Sequence, residues 1–164
     1  MSGRPTPLVD FDGTLVSVVL DWEQARDEAD RRGLPRRIRE AVALDADGAF
    51  RSWLDDFESS AELVPLHLPL HAYLQHSTWA IVTNNGSPVV DRAVEEGLVP
   101  RPTVVVARGS LPLKPAPDML LAAVAELAHH VEPHPLYIGD SAIDRAAADA
   151  AHVPFLPIEA VARG

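Results

Sequence analysis

The chain is 164 residues long, 47% apolar and free of cysteine. This allows one domain with a real core and excludes disulfides, thiolate metal sites and cysteine nucleophiles. Its net charge of -10 argues against a nucleic-acid coating role, and an anionic substrate would need local positive charge from a divalent cation, a lysine or a helix N-terminus.

The polar start MSGRPTP runs straight into an apolar strand over Pro7–Asp10 and does not read as a signal peptide. From Asp21, a natural helix cap, the spacing predicts a helix to about Arg32 with Gly33 as its stop. A second helix runs from Leu34-Pro35 to about Leu44. Phe50, Trp53, Leu54 and Phe57 recur at i, i+3, i+4 and i+7 and predict a third. Residues 17–64 therefore read as a small all-helical segment. Next come a short helix over His67–Gln75, a strand over Thr78–Thr83, a helix over Pro88–Glu96 and a strand over Thr103–Ala107. A long helix follows over Pro117–His130, then a strand over Leu136–Gly139, an alanine-rich helix over Ala142–His152 and a last strand over Val153–Leu156. Alternating apolar strands and helices imply an α/β fold: a Rossmann-like, doubly wound parallel sheet of about five strands, with the helical segment inserted after the first strand. Stretches such as Met119–Ala125 are far too short to span a bilayer, so a soluble, cytoplasmic protein without membrane contact is expected.

In such sheets ligands bind beyond the carboxyl ends of the strands. Here those ends read Asp10-Phe11-Asp12-Gly13-Thr14, then Thr83-Asn84-Asn85-Gly86, then a loop with Lys114-Pro115, then Gly139-Asp140-Ser141 with Asp144 a turn later. Asp10 and Asp12 can point the same way, since strand side chains alternate with period two. Converging carboxylates repel one another unless a cation neutralises them. With Asp140 and Asp144 they form an oxygen-rich set suited to Mg²⁺. Thr83, Asn84 and Lys114 supply donors to an oxyanion, which makes this a constellation for phosphoryl transfer.

DFDGT at 10–14, Thr83, Lys114-Pro115 and GDSAID at 139–144 resemble, in order, the four motifs of the haloacid dehalogenase (HAD) superfamily. The closest likeness is to its phosphoglycolate-phosphatase-like and beta-phosphoglucomutase-like branch, here with a reduced helical cap. The resemblance implies a catalytic core of residues 1–16 and 65–164 and a cap of residues 17–64. It implies Asp10 as the nucleophile that forms an aspartyl-phosphate. Asp12 would protonate the leaving group and then activate water, its backbone carbonyl reaching the metal. Thr83 and Lys114 would hold the phosphoryl group. Asp140 would ligate Mg²⁺, and Asp144 would ligate it or orient its waters. The family's dehalogenases lack an acid at the position of Asp12, and its cation pumps carry Lys-Thr-Gly-Thr after the nucleophile. A phosphatase acting on a small phosphorylated metabolite is therefore expected. The competing readings are a phosphomutase using the same intermediate and a non-catalytic binding protein of the same fold. A nucleic-acid end phosphatase ranks below these because of the acidic charge. Where relatives carry an Asp-Ser pair after Gly-Thr-Leu, this chain has Val16-Ser17-Val18. A small cap leaves the site open, or an oligomer covers it.

Three further features read as structural. Arg31, Arg32, Arg36, Arg37 and Arg39 can pair with Asp27, Asp30 and Glu40 as a solvated face, the alternative being that one or two grip the substrate. His67 and His71 have i, i+4 spacing but no evident third ligand for zinc. The Phe50–Trp53–Phe57 stripe reads as cap packing rather than a stacking platform.

Overall fold

The computed structural model describes residues 3–162. Strand β1 (Thr6–Val9) lies at the centre of a parallel sheet of order β5-β4-β1-β6-β7, with β4 at Ala80–Gly86, β5 at Val104–Arg108, β6 at Pro135–Gly139 and β7 at Phe155–Pro157. Leu8 pairs with Ala80 on one side and Tyr137 on the other, and Val9 with Ile81 and Ile138. Flanked on both edges and both faces, β1 is buried throughout, which is why it reads as a short apolar run rather than an alternating one.

Alternation sorts the side chains into two cores. Val9, Ile81 and Ile138 join Phe11, Trp79, Leu70, Leu74, Val89, Val90 and Ala93 on the face covered by α4 (Leu68–Leu74) and α5 (Ser87–Glu95). Leu8, Ala80, Val82 and Tyr137 face α6 (Asp118–Leu127) and α7 (Ala142–Ala151) through Met119, Leu120, Ala123, Ala147, Ala148 and Ala151. The buried alanines explain the composition of α7, since a small contact face lets a helix lie close on a sheet. A short α8 (Ile158–Ala162) follows β7.

The insertion holds the three expected helices, α1 (Trp22–Arg31), α2 (Ile38–Leu44) and α3 (Ala49–Ser59). Asp21 caps α1 by accepting from the Glu23 amide at 3.1 Å. Helix α2 starts later than its sequence suggests, leaving Leu34–Arg37 outside it. The helices enclose a core of Ala25, Ala29, Ala41, Val42, Phe50 and Leu54, with Leu113 from the sheet domain packed against it.

The reading of 17–64 as all-helical needs correction. Its two ends form an antiparallel ribbon, β2 (Val16–Val19) with β3 (Glu62–Pro65), in register Val16↔Pro65 to Val19↔Glu62. Each strand is four residues long and finds its partner only across the whole insertion, so no local periodicity signals it. The ribbon brings the entry and exit of the insertion together beside the sheet.

Candidate active site

Every strand-end residue singled out above lies at the carboxyl edge of the sheet. Asp10 follows β1 directly, Thr83 lies within β4, Lys114 comes from the loop after β5, and Asp140 follows β6. Asp10, Asp12, Thr83, Asn84, Lys114 and Asp144 line one cavity of about 210 Å³. Carboxylate oxygens of Asp10, Asp140 and Asp144 lie within 4.8 Å of one another.

Lys114 is the hub. Its buried ammonium has three protons to share among four oxygens within reach: Asp10 Oδ1 at 3.0 Å, Asp144 Oδ1 at 2.7 Å, Val82 O at 3.2 Å and the Tyr137 hydroxyl. Burial alone would lower its pKa, but Asp10 and Asp144 outweigh that and leave it raised. Tyr137, buried on β6, donates to Asp144 Oδ1 at 2.9 Å or Val82 O at 3.1 Å. Tyr137 was not singled out in the sequence, though a hydroxyl-tipped aromatic in an apolar strand is a signal, since once buried it needs a partner.

Asp144 is saturated. Its Oδ1 accepts from Lys114 and Tyr137, and its Oδ2 from the amides of Asp140 at 3.2 Å and Ser141 at 3.3 Å and from Ser141 Oγ at 3.0 Å. The Asp144 amide donates to Ser141 Oγ at 3.2 Å, closing a capping box at the start of α7. Burial raises its carboxyl, but Lys114 outweighs this and holds it below the ordinary value. These contacts suit Asp144 to fixing Lys114 and the Asp140 loop.

The other three acids behave differently. Burial pushes Asp10 well above the usual carboxylate range, against the pull of Lys114. Burial likewise raises Asp12, and it raises Asp140 with Asp144 adding to the effect. The cluster is costly to ionise, chiefly because it is buried and secondarily because its carboxylates face one another. A hard cation bound by oxygen would relieve it, and the donor set contains neither sulfur nor imidazole. Gly13 makes the close approach possible: its φ is +85°, and a Cβ there would meet Asp140 Oδ2 at 2.2 Å. Asp12 is not part of the cluster of Asp10, Asp140 and Asp144; its Oδ1 accepts from the Val18 amide on the ribbon at 2.9 Å.

The segment after Val82 forms a bulge in β4. Val82 pairs with Val106 and Gly86 with Arg108, so Thr83, Asn84 and Asn85 lie opposite Ala107 alone. Thr83 Oγ1 donates to Asn85 Oδ1 at 3.0 Å and accepts from the Asn85 amide at 3.0 Å. Asn84 clasps the backbone of Lys114, accepting from its amide at 2.9 Å and donating to its carbonyl at 3.1 Å.

The insertion supplies the outer wall through Trp22, Ile38, Arg39 and Val42, with Glu58 at the floor. The arginine cluster divides. Arg31 and Arg32 pair with Glu28, Arg36 with Glu23 and Asp27, and Arg37 with Glu40. Arg39 has no ion pair among the described residues, and it lines both this cavity and a neighbouring groove of about 820 Å³. His71 is a core residue whose Nε2 donates to Leu15 O at 2.9 Å, and no metal cluster among the described residues includes His67 or His71. Trp53 stacks on Phe57 at 4.9 Å and packs in the insertion's own core.

No family model matches the chain, and no curated protein matches it. Solved structures do. A haloacid dehalogenase-like protein from Bacteroides fragilis superposes with a TM-score of 0.70 at 21% identity, covering 93% of this chain and 86% of that one. A Lactobacillus plantarum protein assigned as a phosphoglycolate phosphatase gives 0.61 at 23% identity, over 93% and 85%. CbbY from Rhodobacter sphaeroides, solved in complex with phosphate, gives 0.62 at 18%, over 93% and 84%. The likeness shows the fold: a parallel five-stranded sheet flanked by helices, as in the HAD-superfamily hydrolases.

Proposed function

We propose that this chain, built on the fold of HAD-superfamily hydrolases, is a Mg²⁺-dependent phosphatase that cleaves a small phosphomonoester through an aspartyl-phosphate at Asp10. The observation that carries this reading is the setting of Asp10: a buried carboxylate at the end of β1, 3.0 Å from the Lys114 ammonium and clustered with Asp140 and Asp144. CbbY, which shares this fold, was solved in complex with phosphate, and this supports reading the site as one that takes a phosphate group.

Asp10 attacks phosphorus, and the bond to the leaving oxygen breaks. Asp12 protonates that oxygen. Now ionised, Asp12 takes a proton from water as it attacks the acyl phosphate, which regenerates Asp10 and releases phosphate. Thr83, Asn84 and Lys114 hold the equatorial oxygens where negative charge is greatest. Asp10, Asp140 and the Asp12 carbonyl would hold Mg²⁺, with Asp144 orienting the set. The ion would neutralise the transferring phosphoryl group. Access from the wide neighbouring groove favours hydrolysis over transfer to a second sugar, which needs water excluded. Trp22, Ile38, Arg39 and Val42 would face the leaving group.

The test is phosphate release from an aryl phosphate with Mg²⁺, expected to stop with EDTA and in Asp10→Asn. Activity that survives both refutes the proposal.

A further inference from the structure

Glu58 is a buried carboxylate that the reaction does not use, and it comes from the insertion rather than the sheet. It occupies the third place in the series Phe50, Leu54, Glu58, the buried stripe of α3. A charge on an apolar stripe is costly unless fully paired, and Glu58 is fully paired. Oε1 accepts from the Gly86 amide at 2.8 Å and Arg108 Nη2 at 2.9 Å. Oε2 accepts from Asn85 Nδ2 at 3.1 Å and Arg108 Nη1 at 3.0 Å. All four contacts are donors. Arg108 is buried too, and its Nη groups also donate to Asp55 Oδ1 at 2.6 Å and Asn84 O at 3.0 Å. Gly86 makes the approach possible, since a Cβ there would lie 2.1 Å from Asp55 Oδ1 and 3.0 Å from Arg108 Nη2.

These bonds lead to the phosphoryl-binding residues in two steps. Glu58 fixes Asn85, and Asn85 exchanges hydrogen bonds with the Thr83 hydroxyl. Arg108 fixes the Asn84 carbonyl, and the Asn84 side chain holds Lys114 at its backbone. We propose that the Glu58–Arg108 pair is a positioning clasp, by which the inserted segment sets the phosphoryl-binding loop Thr83–Gly86 and is held to it as one unit. The phosphatase role of that loop rests on the proposed function; the clasp itself does not. With α3 fastened, the open side of the site lies between α2 and the 109–115 loop. There the inner cavity and the outer groove share Ile38, Arg39, Val42, Leu113 and Lys114.

Glu58→Gln keeps shape but turns one acceptor into a donor facing donors. Arg108→Lys keeps charge but loses the planar fork. Phe50→Leu, in the insertion core and remote from the loop, serves as the control for general loss of stability. Two measurements are made on each: hydrogen exchange of the 83–86 amides, and aryl-phosphate turnover with Mg²⁺ below each variant's melting range. Faster exchange at 83–86 is expected in Glu58→Gln and Arg108→Lys but not in Phe50→Leu. Turnover in the first two is expected to fall by roughly tenfold to a hundredfold, mainly in kcat, the scale of a misplaced contact. Unchanged exchange at 83–86 in both clasp variants overturns the proposal, as does equal loosening in Phe50→Leu. A wild-type protein without turnover refutes the phosphatase reading alone, and the exchange comparison then still decides the clasp.

Discussion

Asp144→Asn isolates the saturated carboxylate at the start of α7. Asparagine keeps one oxygen and replaces the other with an amide donor. With its oxygen turned to the Asp140 and Ser141 amides, the helix cap survives, but the amide then faces the Lys114 ammonium and the Tyr137 hydroxyl. Lys114 loses one of its two carboxylate partners in a buried site. Removing one side of a buried pair costs about 3–5 kcal/mol, and because Asp10 remains, the lower end, about 3 kcal/mol, is expected. At roughly 2–4 °C per kcal/mol for a domain of this size, melting should fall by about 6–12 °C near neutral pH. The sign with pH follows from the lowered pKa of Asp144. A depressed carboxyl stabilises the fold above its unfolded value of 3.8, and that contribution is lost as pH falls through the lower folded value. The wild-type advantage should therefore be present at neutral pH and shrink in acid below that value. Paired urea titrations across this range measure it. A neutral-pH difference under about 0.5 kcal/mol, the size of an ordinary surface substitution, or an advantage that grows in acid, would refute the account of Asp144 as the anchor of Lys114.

Three further outcomes are expected. Mg²⁺ at about a hundredfold excess over its dissociation constant should stabilise the wild type by about 2.7 kcal/mol. Asp140→Asn should abolish most of that shift in a thermal melt; an undiminished shift would place the ion elsewhere. Because Asp10, Asp12 and Asp140 all have raised values, their ionisation weakens the ion-free fold as pH rises, and the benefit of Mg²⁺ should grow with pH. Arg39→Ala should raise KM roughly tenfold for a phosphomonoester bearing a second anionic group, as expected for one charge-assisted contact. Arg31→Ala, paired with Glu28 and in the lining of neither cavity, should leave kinetics unchanged; equal effects from the two would remove Arg39 from the substrate site.

What was legible in the sequence was local. Asp10, Thr83 and Asp140 lie at the ends of short apolar strands, with Asp12 and Lys114 in the loops that follow, and a parallel sheet brings such ends together whatever lies between them. Pairings made across long stretches were not legible. The ribbon joins Val16 to Pro65, and the clasp joins Glu58 to Arg108, with nothing nearby to announce either. Glu58 did leave a trace as a charge on the stripe of Phe50 and Leu54. The sequence could place Asp144 near the site, but only the geometry shows that both of its oxygens are already occupied.

The ribbon and the clasp together bear on how exchangeable the insertion is. Val19 and Glu62 are neighbours across the ribbon, so in backbone terms residues 20–61 form a cassette, and a short turn could replace them without moving the sheet. The clasp removes that freedom. A chimera carrying a foreign insertion would leave Arg108 as a buried cation without Asp55 or Glu58, and would leave the Gly86 amide without its acceptor. Any insertion grafted onto this core must bring its own carboxylate to that point, so exchange of the insertion is confined to segments that end as α3 does.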